Sequence, residues 1–86
     1  MDDMAEHSAQ LIEGITKAQA GDWEAAHTIA QALEGNAHGD WLHAILHKIE
    51  GDEGNSRYWY RRTNQNYESY PDAQAELDAL RAVLTY

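Results

Sequence analysis

The sequence contains no cysteine. No disulfide can staple the fold, and no thiolate can do chemistry. This suits a reducing compartment. Nor is there an apolar run near the ~20 residues of a membrane span. The acidic start, Met1-Asp2-Asp3, leads into no apolar stretch, which argues against a secretory signal there. A cytoplasmic location is the resulting expectation. Basic residues are scarce, six against fifteen acidic ones, for a net charge of −9. Such a chain is repelled by a nucleic-acid duplex and by a bare anionic membrane, so neither is an expected partner. Alternating strand patterns are missing as well. Aromatics at 58–60 favour strands by propensity, but they have no run to pair with.

Catalytic signatures are equally absent. Ser8, Ser56 and Ser69 lack the glycine context of a nucleophile elbow. Gly51 and Gly54 flank a turn with no Lys-Ser/Thr behind it, so no phosphate-cradling loop exists. The acidic pairs Asp2-Asp3 and Asp52-Glu53 are adjacent and cannot share a helix face. They read as caps and solvated charge. The chain is therefore expected not to be an enzyme, and no cofactor is implied.

What remains is helical pattern. Eighty-six residues make one domain. A chain this short buries roughly 60–65% of its unfolded surface, so its core is thin. Met4, Ser8, Leu11, Ile12, Ile15 and Ala18 recur at helical spacing and predict a first helix from about Asp3 to Ala20. Gly21 ends it, and Asp22 caps a second helix carrying Trp23, Ala26, Ile29, Ala30 and Leu33. Gly35 and Asn36 end that one. Asp40 is the candidate cap for a third, with Trp41, Leu42, Ile45, Leu46 and Ile49 on its apolar face. Gly51 closes it, and Asp52 caps a fourth that carries Tyr58, Trp59 and Tyr60. Thr63 to Tyr70 reads as loop. Pro71 suits the first position of a last helix with Ala73, Leu77, Leu80 and Leu84 as its stripe. Trp23 and Trp41, each beside a capping Asp, are expected to close the ends of the core.

Gly21-Asp22 and Gly51-Asp52 lie thirty residues apart. In that register Ile15 falls on Ile45, and small Gly14 and Ala26 fall on small Ala44 and Ser56. Each unit is then an antiparallel helix pair that stacks on its neighbour. The pattern over roughly residues 9–63 resembles a degenerate tetratricopeptide-type repeat. The matching residues are Gly14, Gly21, Asp22 and Ala26, then Ala44, Gly51, Asp52 and Ser56. The period is shorter than that family's ~34 residues, Trp41 is displaced by one position, and His47 stands where an aromatic is common. The resemblance implies an all-α bundle of about five helices, two antiparallel pairs plus a C-terminal capping helix. The stretch Trp41 to Arg62, with its Glu50-Gly51-Asp52 turn and Tyr58-Trp59-Tyr60-Arg61-Arg62 helix, also resembles small uncharacterised bacterial proteins. That likeness implies a family but no activity.

Two side-chain groups could carry chemistry. His43 and His47 are four apart on one helix with Glu50 three further on, a spacing that can hold a divalent metal. The zinc-protease motif is absent, because Ala44 stands at its catalytic Glu position. The alternative is a solvent-facing or groove-lining histidine pair without metal. Arg57, Tyr60 and Arg61, with His43 and His47, could line a concave face made by the first helices of the pairs. That face would hold an acidic peptide, a phosphate or a carboxylate metabolite. Against it stands a packing reading, in which Tyr58 and Trp59 are core and the arginines pair with surface acids. The leading expectation is a non-enzymatic module that binds a protein or peptide, or pairs with itself. The alternative is a small-anion or divalent-metal binding protein.

Overall fold

The computed structural model describes residues 3–85, with side chains from His7 onward. Met4 of the first stripe therefore lies outside the described side chains. Five helices run α1 Asp3–Gln19, α2 Trp23–Ala32, α3 Ala37–Glu50, α4 Glu53–Tyr60 and α5 Ala73–Thr85. One 3₁₀ turn, Tyr67–Ser69, interrupts the loop between α4 and α5. The described residues contain no strand, and none of their helices is long and apolar enough to cross a membrane.

The two Gly-Asp turns are built alike. Gly21 and Gly51 take φ of 87° and 88°, a left-handed conformation that costs glycine little and other residues more. The N–H of Asp22 reaches back to the Lys17 carbonyl at 2.9 Å, and that of Asp52 to the His47 carbonyl at 2.9 Å. The same aspartates then turn forward. Each carboxylate accepts from the backbone N–H three residues on, Ala25 and Asn55, at 3.2 Å. One dipeptide thus ends one helix and starts the next.

Small residues set how closely the helices approach. A methyl group built at Gly14 would lie 2.9 Å from Leu42 Cδ2 and 3.2 Å from Ile29 Cγ2. On α4 the fully buried Ser56 hydroxyl donates to the Ala44 carbonyl at 2.7 Å, fastening α4 to α3. Helix α3 is central, and every residue from Gly39 to His47 is buried.

Three sequence expectations need correction. Asn36, not Asp40, caps α3; its side-chain oxygen accepts from His38 and Gly39 N–H at 3.0 and 3.1 Å. Asp40 lies buried within the first turn, where it accepts from Gly35 N–H at 3.2 Å. The last helix begins at Ala73, two residues beyond Pro71, with the Asp72 carboxylate accepting from Gln74 N–H at 2.9 Å. Tyr58 is exposed, while Trp59 beside it is buried.

Helix α5 packs across α1 and α3 and buries Leu77 and Leu80 completely. A buried polar knot holds it there. Glu76, with no exposed surface, accepts from Trp41 Nε1 at 2.7 Å, Tyr60 Oη at 2.6 Å and Lys48 Nζ at 2.7 Å. Lys48 also donates to the Tyr67 and Tyr70 carbonyls, both at 2.9 Å. Trp41 therefore does sit at the core, but its partner is a carboxylate on the last helix. The side of α1 and α3 expected to form an open concave surface is covered by the chain's own C-terminal helix.

Candidate metal centre

His43 and His47 do not face open space. They point from α3 toward α2, where His27 meets them, and are walled by Trp23 and Trp59. A ring nitrogen from each of His27, His43 and His47 lies within 4.8 Å of the others. His43 and His47 are buried, and His27 is half-buried at the rim. His27 Nε2 and His43 Nε2 stand 3.1 Å apart.

Local structure explains the convergence. His43 and His47 are one helical turn apart, so their rings stack, with centroids 5.0 Å apart and planes at 26°. Trp23 and His27 are likewise one turn apart on α2 and stack at 4.5 Å. The Trp23 indole N–H donates to the Leu46 carbonyl at 2.7 Å, tying the start of α2 to the middle of α3. That bond brings His27 opposite His43. From α4, the Trp59 ring covers His43 at 3.8 Å, and the Arg62 guanidinium lies over Trp59 at 4.9 Å.

The electrostatics disfavour protonation of two of the three rings. Burial first, then the neighbouring His27, His47 and Arg62, lower the His43 imidazole to about 4. Burial, then His47, also lowers His27. At neutral pH both rings are uncharged, and without metal one Nε2 donates its N–H to the other across 3.1 Å. Glu50 accepts from His47 Nδ1 at 2.8 Å. With Nδ1 protonated, the His47 Nε2 lone pair is left for the centre, the carboxylate–histidine arrangement typical of metal ligands. His43 Nδ1 is buried without a hydrogen-bond partner among the described residues. The other nitrogen of that ring, Nε2, is the one that meets His27.

One of the spacings matches that of transition-metal ligands. Imidazole nitrogens bind zinc at about 2.0–2.1 Å, which places two tetrahedral ligands about 3.3 Å apart. The observed 3.1 Å between His27 and His43 is close to that value. Three imidazoles also leave one coordination position open. His27 escaped the sequence reading because helical spacing relates residues within one helix, whereas this contact joins two. The i, i+4 pairing of Trp23 with His27 was the available signal.

The other expected ligand residues fall elsewhere. Tyr60 is buried, its hydroxyl committed to Glu76, and burial followed by that carboxylate raises its phenol well above the ordinary value. Arg57 is held by Glu53 and Glu68 at 2.8 and 2.6 Å. Arg57, Tyr60 and Arg61 line a separate surface pocket that shares no residue with the histidines. The expected face of His43, His47, Arg57, Tyr60 and Arg61 is thus two places. Compared with known proteins, the chain matches no family model, no curated protein and no solved structure, so its chemistry is read from its own residues.

Proposed function

We propose that the protein is a non-enzymatic binding protein for a divalent transition-metal ion, held by His27, His43 and His47 with Glu50 orienting His47. The observation that carries this reading is the convergence of three histidine nitrogens within 4.8 Å, two of them on buried rings. Neutral imidazole is a ligand for zinc, copper, nickel and iron(II), and poorly suited to magnesium or calcium. His27 and His43, held neutral, carry no excess proton for a metal to displace.

A protein-interaction role, the first expectation from sequence, would need a surface other than the one α5 covers. The histidine centre gives the metal reading a specific site, whereas exposed Ile49, Tyr58 and Val83 are scattered over α3, α4 and α5.

Titration of untagged, metal-stripped protein with zinc, monitored by calorimetry, tests the reading. One ion per chain is expected. Cobalt substitution should give the visible absorption of a tetrahedral nitrogen site. Copper or nickel should quench the Trp23 and Trp59 fluorescence. His27→Phe, which keeps a ring against Trp23, should abolish binding while leaving the fold intact. Unchanged zinc binding in that variant, or none in the native chain at millimolar metal, would overturn the proposal.

A further inference from the structure

A second seat gathers at the junction of α4 and the loop that follows it. Four of the six basic residues, Lys48, Arg57, Arg61 and Arg62, belong to α3, α4 and the two positions after α4. Three of them are covered by acids. Lys48 pairs with Glu76 at 2.7 Å, Arg57 with Glu53 and Glu68, and Arg62 with Asp40 at 3.6 Å and Glu34 at 3.9 Å. Arg61 makes no ion pair with any described residue, in a chain where acids outnumber bases fifteen to six. It lines a surface pocket of about 210 Å³ together with Arg57, Thr63, Gln65, Asn66 and Glu68.

Arg57 in that pocket is positioned in advance. Its guanidinium lies over the Tyr67 ring at 4.4 Å, and Glu53 fixes its Nε at 2.8 Å. Its Nη2 is met at 2.6 Å by Glu68, a side chain two-thirds exposed on the one-turn 3₁₀ helix. Contact with Arg57 lowers the Glu68 carboxyl below its ordinary range. A carboxylate of the chain itself already stands where an outside anion would bind. An exposed ion pair of this kind is weak and open to competition. Guanidinium forks suit tetrahedral and planar oxyanions, and the side-chain amides of Gln65 and Asn66 supply neutral donors. The pocket is smaller than the ~300–1,000 Å³ that encloses a drug-sized ligand, so it suits one anionic group on a small body.

We propose that this pocket binds a phosphate group between Arg57 and Arg61, displacing Glu68 from Arg57. The phosphate is free or carried on a small metabolite. The proposal is independent of the histidine centre.

Amide and arginine side-chain NMR of the metal-free protein at low ionic strength, titrated with inorganic phosphate and separately with glycerol 3-phosphate, tests it. Shifts should concentrate at Arg57, Arg61 and residues 63–68. Tighter binding of the ester would identify a metabolite as the source, and equal binding free phosphate. Arg61→Ala should weaken binding about tenfold or more. Glu68→Gln should tighten it several-fold by removing the competitor. Glu53→Gln is the control, because it makes the same charge change at Arg57 from outside the pocket. Equal tightening by both glutamate variants would mean general charge attraction and would overturn the proposal, as would shifts dispersed over the surface or no shifts at all. His27→Phe should leave phosphate binding untouched.

Discussion

A neutral imidazole buried among other imidazoles is a liability in acid. His43 titrates at about 4 in the fold and near 6.5 in the unfolded chain, and His27 is displaced in the same direction. Between those values the unfolded chain binds more protons than the native one, so stability rises with pH there. The stabilising contribution is complete above about 6.5 and is lost as pH falls toward 4. For His43 alone it amounts to ~3 kcal/mol at most. Metal-free protein should therefore lose urea resistance steeply between pH 6.5 and 4, and His43→Phe should flatten that slope. A native slope no steeper than the variant's would contradict the burial of His43. Saturating zinc should add stability by mass action, about 2.7 kcal/mol at a hundredfold excess over Kd. At this scale the sequence was partly legible. The pair His43 and His47 with Glu50 follows from spacing, and the structure joins His47 to Glu50 at 2.8 Å. His27 and Trp59 did not follow, because their places depend on how α2 and α4 dock against α3.

Among the elements, the turns were the most legible feature. Glycine at positive φ followed by a capping aspartate is a local device, needing nothing beyond six or seven neighbouring residues, and both copies were readable. Asp22→Ala and Asp52→Ala should each cost about 1 kcal/mol in denaturant titration. Gly21→Ala and Gly51→Ala should each cost ~1–2 kcal/mol through strain, because open space around both positions excludes a clash. Gly14→Ala should destabilise for the opposite reason: its φ is ordinary, but the new methyl meets Leu42 and Ile29. If all three glycine variants matched the native chain in stability, both the turn geometry and the close approach of α1 to α3 would be wrong. The start of α3 was misread because Asp40 is a good cap by residue type. Asn36 competes successfully with two backbone bonds, while Asp40 is turned inward toward Gly35 and Arg62.

For the molecule as a whole, the decisive device is the polar knot that fastens α5, and periodicity could not reveal it. Lys48, Tyr60, Trp41 and Glu76 come from α3, α4 and α5, and Glu76 sits in the last helix's apolar stripe as an apparent exception. A domain of this length has roughly 4–13 kcal/mol of stability in total. Removing one member of a buried ion pair strands the other, at about 3–5 kcal/mol. Lys48→Met should therefore cost a large share of the fold, leaving the Glu76 carboxylate with only the Trp41 and Tyr60 donors. Glu76→Gln should also destabilise: the amide oxygen can still accept from Trp41 and Tyr60, but its NH2 then faces the Lys48 ammonium, donor against donor. Combined, the two changes remove that conflict, since the amide faces an apolar methionine and keeps its two acceptor bonds. The double variant should consequently lose less stability than the sum of the singles, by at least ~1 kcal/mol in a urea-denaturation cycle. Additivity within ~0.5 kcal/mol would show that Lys48 and Glu76 do not act as a pair. Non-additivity would establish that a charge pair of the chain's own, rather than apolar contact alone, seats α5 over the face that two stacked helix pairs would otherwise leave open.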